Sequence, residues 1–202
     1  TGTPTFTNDS VTGISQTAIA NLQTAVNLAQ ERGVGLILCL WSFGMLDSES
    51  INATLIARNK KMLTDTNYTR KYINNALIPM IDSLKGHKGI ICWEIFNEPE
   101  GMASDANDWA GWLDTTVAMV NIQRFINLAT GAIHRTDPNA LVSSGAWNVA
   151  VNTDITLTGS GIPSSINFYR DDRLIASGGD IDGTLDFYMI HYYADHGTNS
   201  SP

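Results

Sequence analysis

The sequence predicts an α/β fold built on a parallel sheet, and three observations predict it. An amphipathic helical stretch, Ser15–Arg32, runs directly into a continuous apolar run at Val34–Trp41. The same order, helix and then buried strand, returns at Asn67–Phe96 and again at Thr116–Trp147. Crossovers of this length between strands require parallel neighbours joined by right-handed connections.

The first helix is read from Ala18, Leu22, Ala25, Val26 and Ala29 at helical spacing, with Gly33 as its stop. Ser42–Asp65 is mixed in character and reads as a long loop with a short helical turn around Ala53–Lys60. Asn67 is placed to cap a second helix whose stripe Tyr72, Ile73, Leu77, Met80, Ile81 and Leu84 ends at Gly86. The strand Ile90–Phe96 follows, rich in Ile and aromatics, and Pro99 with Gly101 forbids its continuation past the polar Asn97-Glu98. A third helix, Thr116–Arg135, turns Val120, Phe125, Leu128, Ala132 and Ile133 inward and ends at Asp137-Pro138. Ala140–Trp147 is the next strand, and Leu185–Tyr193 the last. Between them Asn148–Gly183 reads either as an irregular loop or as a poorly formed helix around Phe168–Ala176. No linker or repeat divides the chain, so residues 1–202 are expected to form a single domain.

Composition narrows the function. A formal charge of −8 without any Lys/Arg cluster argues against nucleic acid or an anionic membrane as partner and favours a neutral ligand. No apolar run is long enough to cross a bilayer, and Thr1-Gly2-Thr3-Pro4 has neither the charged nor the apolar part of a signal peptide, as would hold for a mature secreted protein. Cys39 and Cys92 sit inside apolar runs and read as small buried hydrophobes rather than a bridge or a metal pair. Sequons at Asn8, Asn52, Asn67 and Asn199 would accept glycans in a eukaryotic secretory route.

Each strand ends in groups suited to recognition: Trp41-Ser42, Asn97-Glu98, Trp147-Asn148, and His191 with Tyr193. Rigid strands followed by solvent-facing loops are where barrel enzymes place catalytic side chains. Trp93-Glu94-Ile95-Phe96-Asn97-Glu98-Pro99 resembles the Asn-Glu-Pro signature at the fourth strand of glycoside hydrolase family 5. His191-Tyr192-Tyr193 resembles that family's sixth-strand His-x-Tyr, in the same order with one strand between. The resemblance implies a (β/α)8 barrel of which this chain supplies about four βα units, the third to sixth strands. It also implies a retaining hydrolase of β-linked glucan or mannan, of the cellulase and β-mannanase type, acting outside the cell.

Carried over residue by residue, it makes Glu98 the general acid/base and Asn97 the donor to the sugar 2-hydroxyl, with His191 and Tyr193 positioning carboxylates and substrate. The chemistry is sound, because a glycosidic oxygen leaves poorly until protonated and the donor must still hold its proton near neutral pH. Trp41, Trp109, Trp112 and Trp147 are the candidate sugar-contacting aromatics; Trp109, Trp112 and Trp147 are open between packing and stacking. Glu94 shares the parity of Glu98, so an internal partner or a retained proton is expected on it, with a structural role. Glu100, Asp195 and His196 read as rim residues, and no ligand spacing supports a metal there. No cofactor is expected, since two carboxylates suffice.

The departures from the family are specific. The family's nucleophile is a Glu at its seventh strand, and no Glu follows Glu100 among these 202 residues. The first helix corresponds to the family's second, so its first two strands and an Arg are absent, and Trp41-Ser42 stands where many members have His. Two rival functions follow: a carbohydrate-binding half barrel without catalysis, and a scaffold self-associating through open sheet edges.

Overall fold

The computed structural model describes residues 4–106, 111–155 and 165–192. It opens with an antiparallel hairpin that the sequence reading did not anticipate, β1 (Pro4–Thr7) and β2 (Ser10–Ile14). Thr7 pairs with Ser10 across Asn8 and Asp9, whose φ values of 48° and 64° are those of a two-residue hairpin turn. The signal was present in Asn8-Asp9, with Thr5 and Thr7 before it and Val11 and Thr12 after it. Val11 reaches the core, and Asn75 Nδ2 donates to the Val11 carbonyl at 2.8 Å, fixing the hairpin to the helical layer.

Helix α1 (Gln16–Glu31) is capped by Ser15, whose hydroxyl accepts from Ala18 N at 3.2 Å. Its buried residues are Ile19, Val26 and Ala29, whereas Ala25 is exposed, so the stripe is rotated relative to expectation. Strand β3 (Leu36–Ser42) follows. It is not covered on both faces as expected: Ile37 is 48 % exposed, and on the neighbouring strand Ile91 is 52 % exposed. That part of the sheet is only half covered.

The stretch expected to be mainly loop contains a three-turn helix, α2 (Ala53–Thr64), capped by Asn52. Its inward face holds Ile56, Met62 and Leu63 together with Asn59, whose amide donates to the Met45 carbonyl at 2.8 Å. That polar member of the buried face broke the apolar pattern. Asp65, not Asn67, caps α3 (Thr66–Tyr72). The helix widens to a π segment at Ile73–Leu77 before α4 (Ile78–Leu84), whose second residue is Pro79. A proline lacks the N–H for the ladder and its ring crowds the preceding turn, so the backbone widens just before it.

Strand β4 (Ile90–Asn97) leads through a 3-10 turn, Pro99–Met102, to α5 (Met119–Thr136). Val120 is exposed, contrary to expectation, while Asn127 and Thr130 are fully buried because α6 covers that side. Strand β5 (Val142–Ala146) is buried throughout. Of the two readings for Asn148–Gly183, the helix is realised, as α6 (Asp171–Gly178). Strand β6 is only Met189–Ile190, much shorter than Leu185–Tyr193. Upstream of it a single backbone bond, Asp186 N–H to the Val142 carbonyl at 2.9 Å, is supplemented by side chains: the Asp186 carboxylate accepts from Val142 N at 2.7 Å, and the Ser143 hydroxyl donates to the Phe187 carbonyl at 2.8 Å.

The four strands form one parallel sheet in the order β3-β4-β5-β6, with the helices packed against it. An aromatic row crosses the interface: Trp41 meets Tyr72 edge-on at 5.4 Å, Tyr72 stacks on Phe125 at 5.6 Å, and Phe125 tilts onto Phe96 at 5.2 Å. Asn127 locks the segment feeding β6 onto α5. Its Nδ2 donates to the Asp180 and Gly183 carbonyls at 2.8 and 2.9 Å, and its Oδ1 accepts from Asp180 N at 3.0 Å. Asn127→Ala leaves these three backbone groups without their partner and is expected to cost at least about 3 kcal/mol in urea unfolding.

Candidate active site

The C-terminal ends of β3, β4, β5 and β6 bring the predicted polar residues together. Glu98 is the first residue past β4; its N–H donates to the Gly145 carbonyl at 2.7 Å, tying it to β5. Its backbone is left-handed, with φ 50° and ψ 53°. A glutamate rarely adopts that conformation, and its persistence shows that the surrounding bonds dictate where the carboxyl group stands. Glu98 is 5 % exposed.

His191 follows β6 directly, held by its N–H donating to the Ala146 carbonyl at 2.9 Å. Its ring Nδ1 lies 2.6 Å from Glu98 Oε1, a close contact across 93 residues of sequence. Asn97 is in register with Ser42, and its Nδ2 donates to Ser42 Oγ at 3.4 Å. Thus Asn97, Glu98 and His191 occupy one edge of the sheet. Tyr193 and Trp109, both sequence candidates, fall outside the described residues, as do Asp195 and His196.

The tryptophans separate into two groups. Trp112 and Trp147 stand together with ring centroids 5.0 Å apart, and Phe43 meets Trp112 edge-on at 5.5 Å. Trp112 is 42 % exposed, leaving part of this cluster open to a ligand. It lies so close over Gly101 that a Cβ there would be 2.5 Å from Trp112 Cε2, which is why the turn after Glu98 carries glycine at that position. Trp41, by contrast, belongs to the aromatic row against Tyr72 and is not brought to the Trp112–Trp147 pair.

Glu100 corrects the expectation of a rim residue, since it is only 1 % exposed. Its Oε1 accepts from the Tyr169 hydroxyl and its Oε2 from Trp147 N at 3.0 Å, while its carbonyl accepts from Gly111 N at 3.0 Å. One carboxylate therefore joins the turn carrying Glu98 to the segments carrying Trp147 and Tyr169. Burial raises its pKa above the ordinary carboxyl range, against the bonds from Tyr169 and Trp147. Glu94, four residues before Glu98 on β4, is also buried and also raised, first by burial. Beside it, burial and the Glu94 charge push the Cys39 thiol up to about 12, and neither cysteine forms a disulfide. Among the described residues no group of His, Cys, Asp and Glu side chains could hold a metal ion.

The arrangement offers a carboxyl group at a strand end, clasped by an imidazole and flanked by an amide and an open aromatic cluster. Such a set can transfer a proton to a ligand lying along the strand ends. The family model for Cellulase (glycosyl hydrolase family 5) matches residues 2–200. A mannan endo-1,4-beta-mannosidase of Mytilus edulis is 32 % identical over 217 residues, covering 99 % of this chain and 56 % of the relative. One of Cryptopygus antarcticus is 30 % identical, covering 92 % of this chain and 48 % of the relative. The solved structure of a beta-1,4-mannanase from the common sea hare Aplysia kurodai superposes with a TM-score of 0.85 at 30 % identity, covering 100 % of this chain and 59 % of that one. The chain thus spans about half the length of the curated relatives it matches, and its four parallel strands form an incomplete barrel. By the match of that family model along nearly its whole length, the chain belongs to glycosyl hydrolase family 5.

Proposed function

We propose that the protein carrying this chain is a retaining endo-acting hydrolase of β-1,4-mannan, with Glu98 as acid/base. One observation carries the reading: on a family 5 sheet, the carboxyl group at the end of β4 stands 2.6 Å from the His191 ring at the end of β6. Glu98 would protonate the glycosidic oxygen as the bond to the sugar breaks, then take a proton from the water that releases the sugar. Asn97 would hold the 2-hydroxyl, and Trp112 with Trp147 would take a sugar face. The choice of mannan over glucan is supported by the names of the two curated relatives.

The second carboxylate, the nucleophile, would come from outside these 202 residues, at roughly 5 to 5.5 Å from Glu98. Glu94 and Glu100 are poor alternatives: both are buried, and Glu100 is committed to Tyr169 and Trp147. Acting on a polymer, the enzyme would meet its substrate outside the cell. Among the described residues no helix is long and apolar enough to cross a membrane.

The deciding assay incubates the protein that carries these residues with β-1,4-mannan and with β-1,4-glucan, following reducing ends and the anomer of the first product by proton NMR. Release from mannan in preference to glucan, with the β-anomer appearing first, is the expected result. Release from neither polymer would overturn the reading. A second reading, a sugar-binding or self-associating half barrel, is favoured by the exposed apolar Ile37, Ile91, Leu141 and Ile190 on and beside the sheet. Sedimentation of the 202-residue chain separates the two, since association would raise its size with concentration.

A further inference from the structure

Below the acid/base position the sheet carries a second carboxyl group that the reaction as proposed does not use. Glu94 lies in β4, paired in register with Cys39 on β3 and Ser143 on β5. Its Oε1 is buried and has no hydrogen-bond partner among the described residues. An orphaned carboxylate oxygen in a sheet interior is costly enough to require a reason.

Gly145 supplies the location of that reason. A Cβ built there would collide with Glu94 Oε1 and would lie 2.7 Å from His191 Nε2. The space a methyl group would fill on β5 is therefore bounded on one side by the orphaned oxygen and on another by the ring nitrogen turned away from Glu98. The opposite ring nitrogen, Nδ1, is the one that meets Glu98.

We propose that Glu94 is a positioning residue for the acid/base pair, facing the Nε2 side of His191 across Gly145 and so holding the Nδ1 side against Glu98. The role in catalysis rests on the reading of Glu98 as acid/base; the approach of Glu94 and His191 to the same space beside Gly145 does not. An imidazole presents two nitrogens, and fixing one determines what the other can offer. Glycine at 145 is required because any side chain would separate the two groups. The charged and titratable groups that face Glu94 are Cys39 from β3, Cys92 and Glu98 from β4 and its end, and His191 from the end of β6; β5 contributes the Gly145 backbone. Burial raises the Glu94 carboxyl, while the Cys39 thiol and then the His191 charge pull it back down.

Carbon-13 carboxyl NMR on the folded chain tests this directly. In His191→Gln the imidazole charge is gone, and the Glu94 titration midpoint is expected to rise by about half a pH unit or more relative to the parent chain. In Gly145→Ala a methyl group enters between the two side chains, whose flexible ends can retreat; the Glu94 midpoint and the nitrogen-15 ring signals of His191 should then move together. The second variant carries the test if the first fails to fold. Identical Glu94 titration in all three chains overturns the proposal, since a purely structural glutamate would not sense the ring. These signals need no turnover. Absent hydrolysis with coupled signals would retire the acid/base reading alone, and hydrolysis with uncoupled signals would retire the role of Glu94 alone.

Discussion

Glu98→Gln is expected to lower kcat/KM for mannan by about 10²–10⁴-fold, the usual contribution of a positioned proton donor. Glutamine keeps the size and the hydrogen-bonding outline of the side chain, so the left-handed turn and the contact with His191 remain satisfiable. What disappears is the transferable proton. The defect should therefore depend on the leaving group. With an aryl mannoside, whose phenolate departs without prior protonation, bond cleavage should recover much of its rate while release of the enzyme-bound sugar stays slow for want of a base. A uniform loss on both substrates would point instead to a disturbed site. Glu98→Asp offers a second comparison: it keeps the acid but withdraws it by one methylene, and a displacement near 1 Å costs about 10²-fold where reacting atoms must be aligned.

The position of Glu98 was legible because it needs only local information: an apolar strand, a terminating Pro-x-Gly, and an amide-carboxyl pair between them. The existence of α1, α4 and α5 was legible for the same reason, from apolar residues at helical spacing, although the buried faces of α1 and α5 are set in part by distant neighbours. What stayed hidden depends on distant partners. Glu100 reads as a rim residue beside Pro99 and Gly101, yet it is buried by Tyr169 and Trp147, 69 and 47 residues away in sequence. Helix α2 was obscured by Asn59, a buried polar residue whose partner is the Met45 carbonyl. Strand β6 appeared long because Leu185–Tyr188 is strand-like in composition, but there one backbone bond from Asp186 is joined by side-chain bonds of Asp186 and Ser143, and the regular ladder begins only at Met189. Trp41 illustrates the limit for single aromatics, since a strand-end tryptophan has the same sequence context whether it meets Tyr72 or a ligand.

Glu100 leads to the other large effect, one on stability. Glu100→Ala leaves the Tyr169 hydroxyl and the Trp147 N–H without their acceptor inside the protein, at about 1–3 kcal/mol for each unsatisfied group, so a loss of about 2–6 kcal/mol is expected in urea unfolding. Glu100→Gln should behave differently, because glutamine still accepts a hydrogen bond while removing the buried charge. The pH dependence separates the two contributions. In the folded protein the Glu100 carboxyl is raised above its ordinary value of 4.5, first by burial. The unfolded chain therefore releases that proton at lower pH than the folded chain does. Above about pH 4.5 the folded state binds more protons than the unfolded one, so this residue's contribution to stability falls as pH rises, until the folded carboxyl has itself ionised. The glutamine variant has no such loss. Its stability relative to the parent chain should climb from pH 4.5 toward neutrality and then level off, as read from urea midpoints at matched ionic strength. A constant difference across that range would mean that Glu100 ionises equally easily in both states, and that the bonds from Tyr169 and Trp147 offset its burial in full.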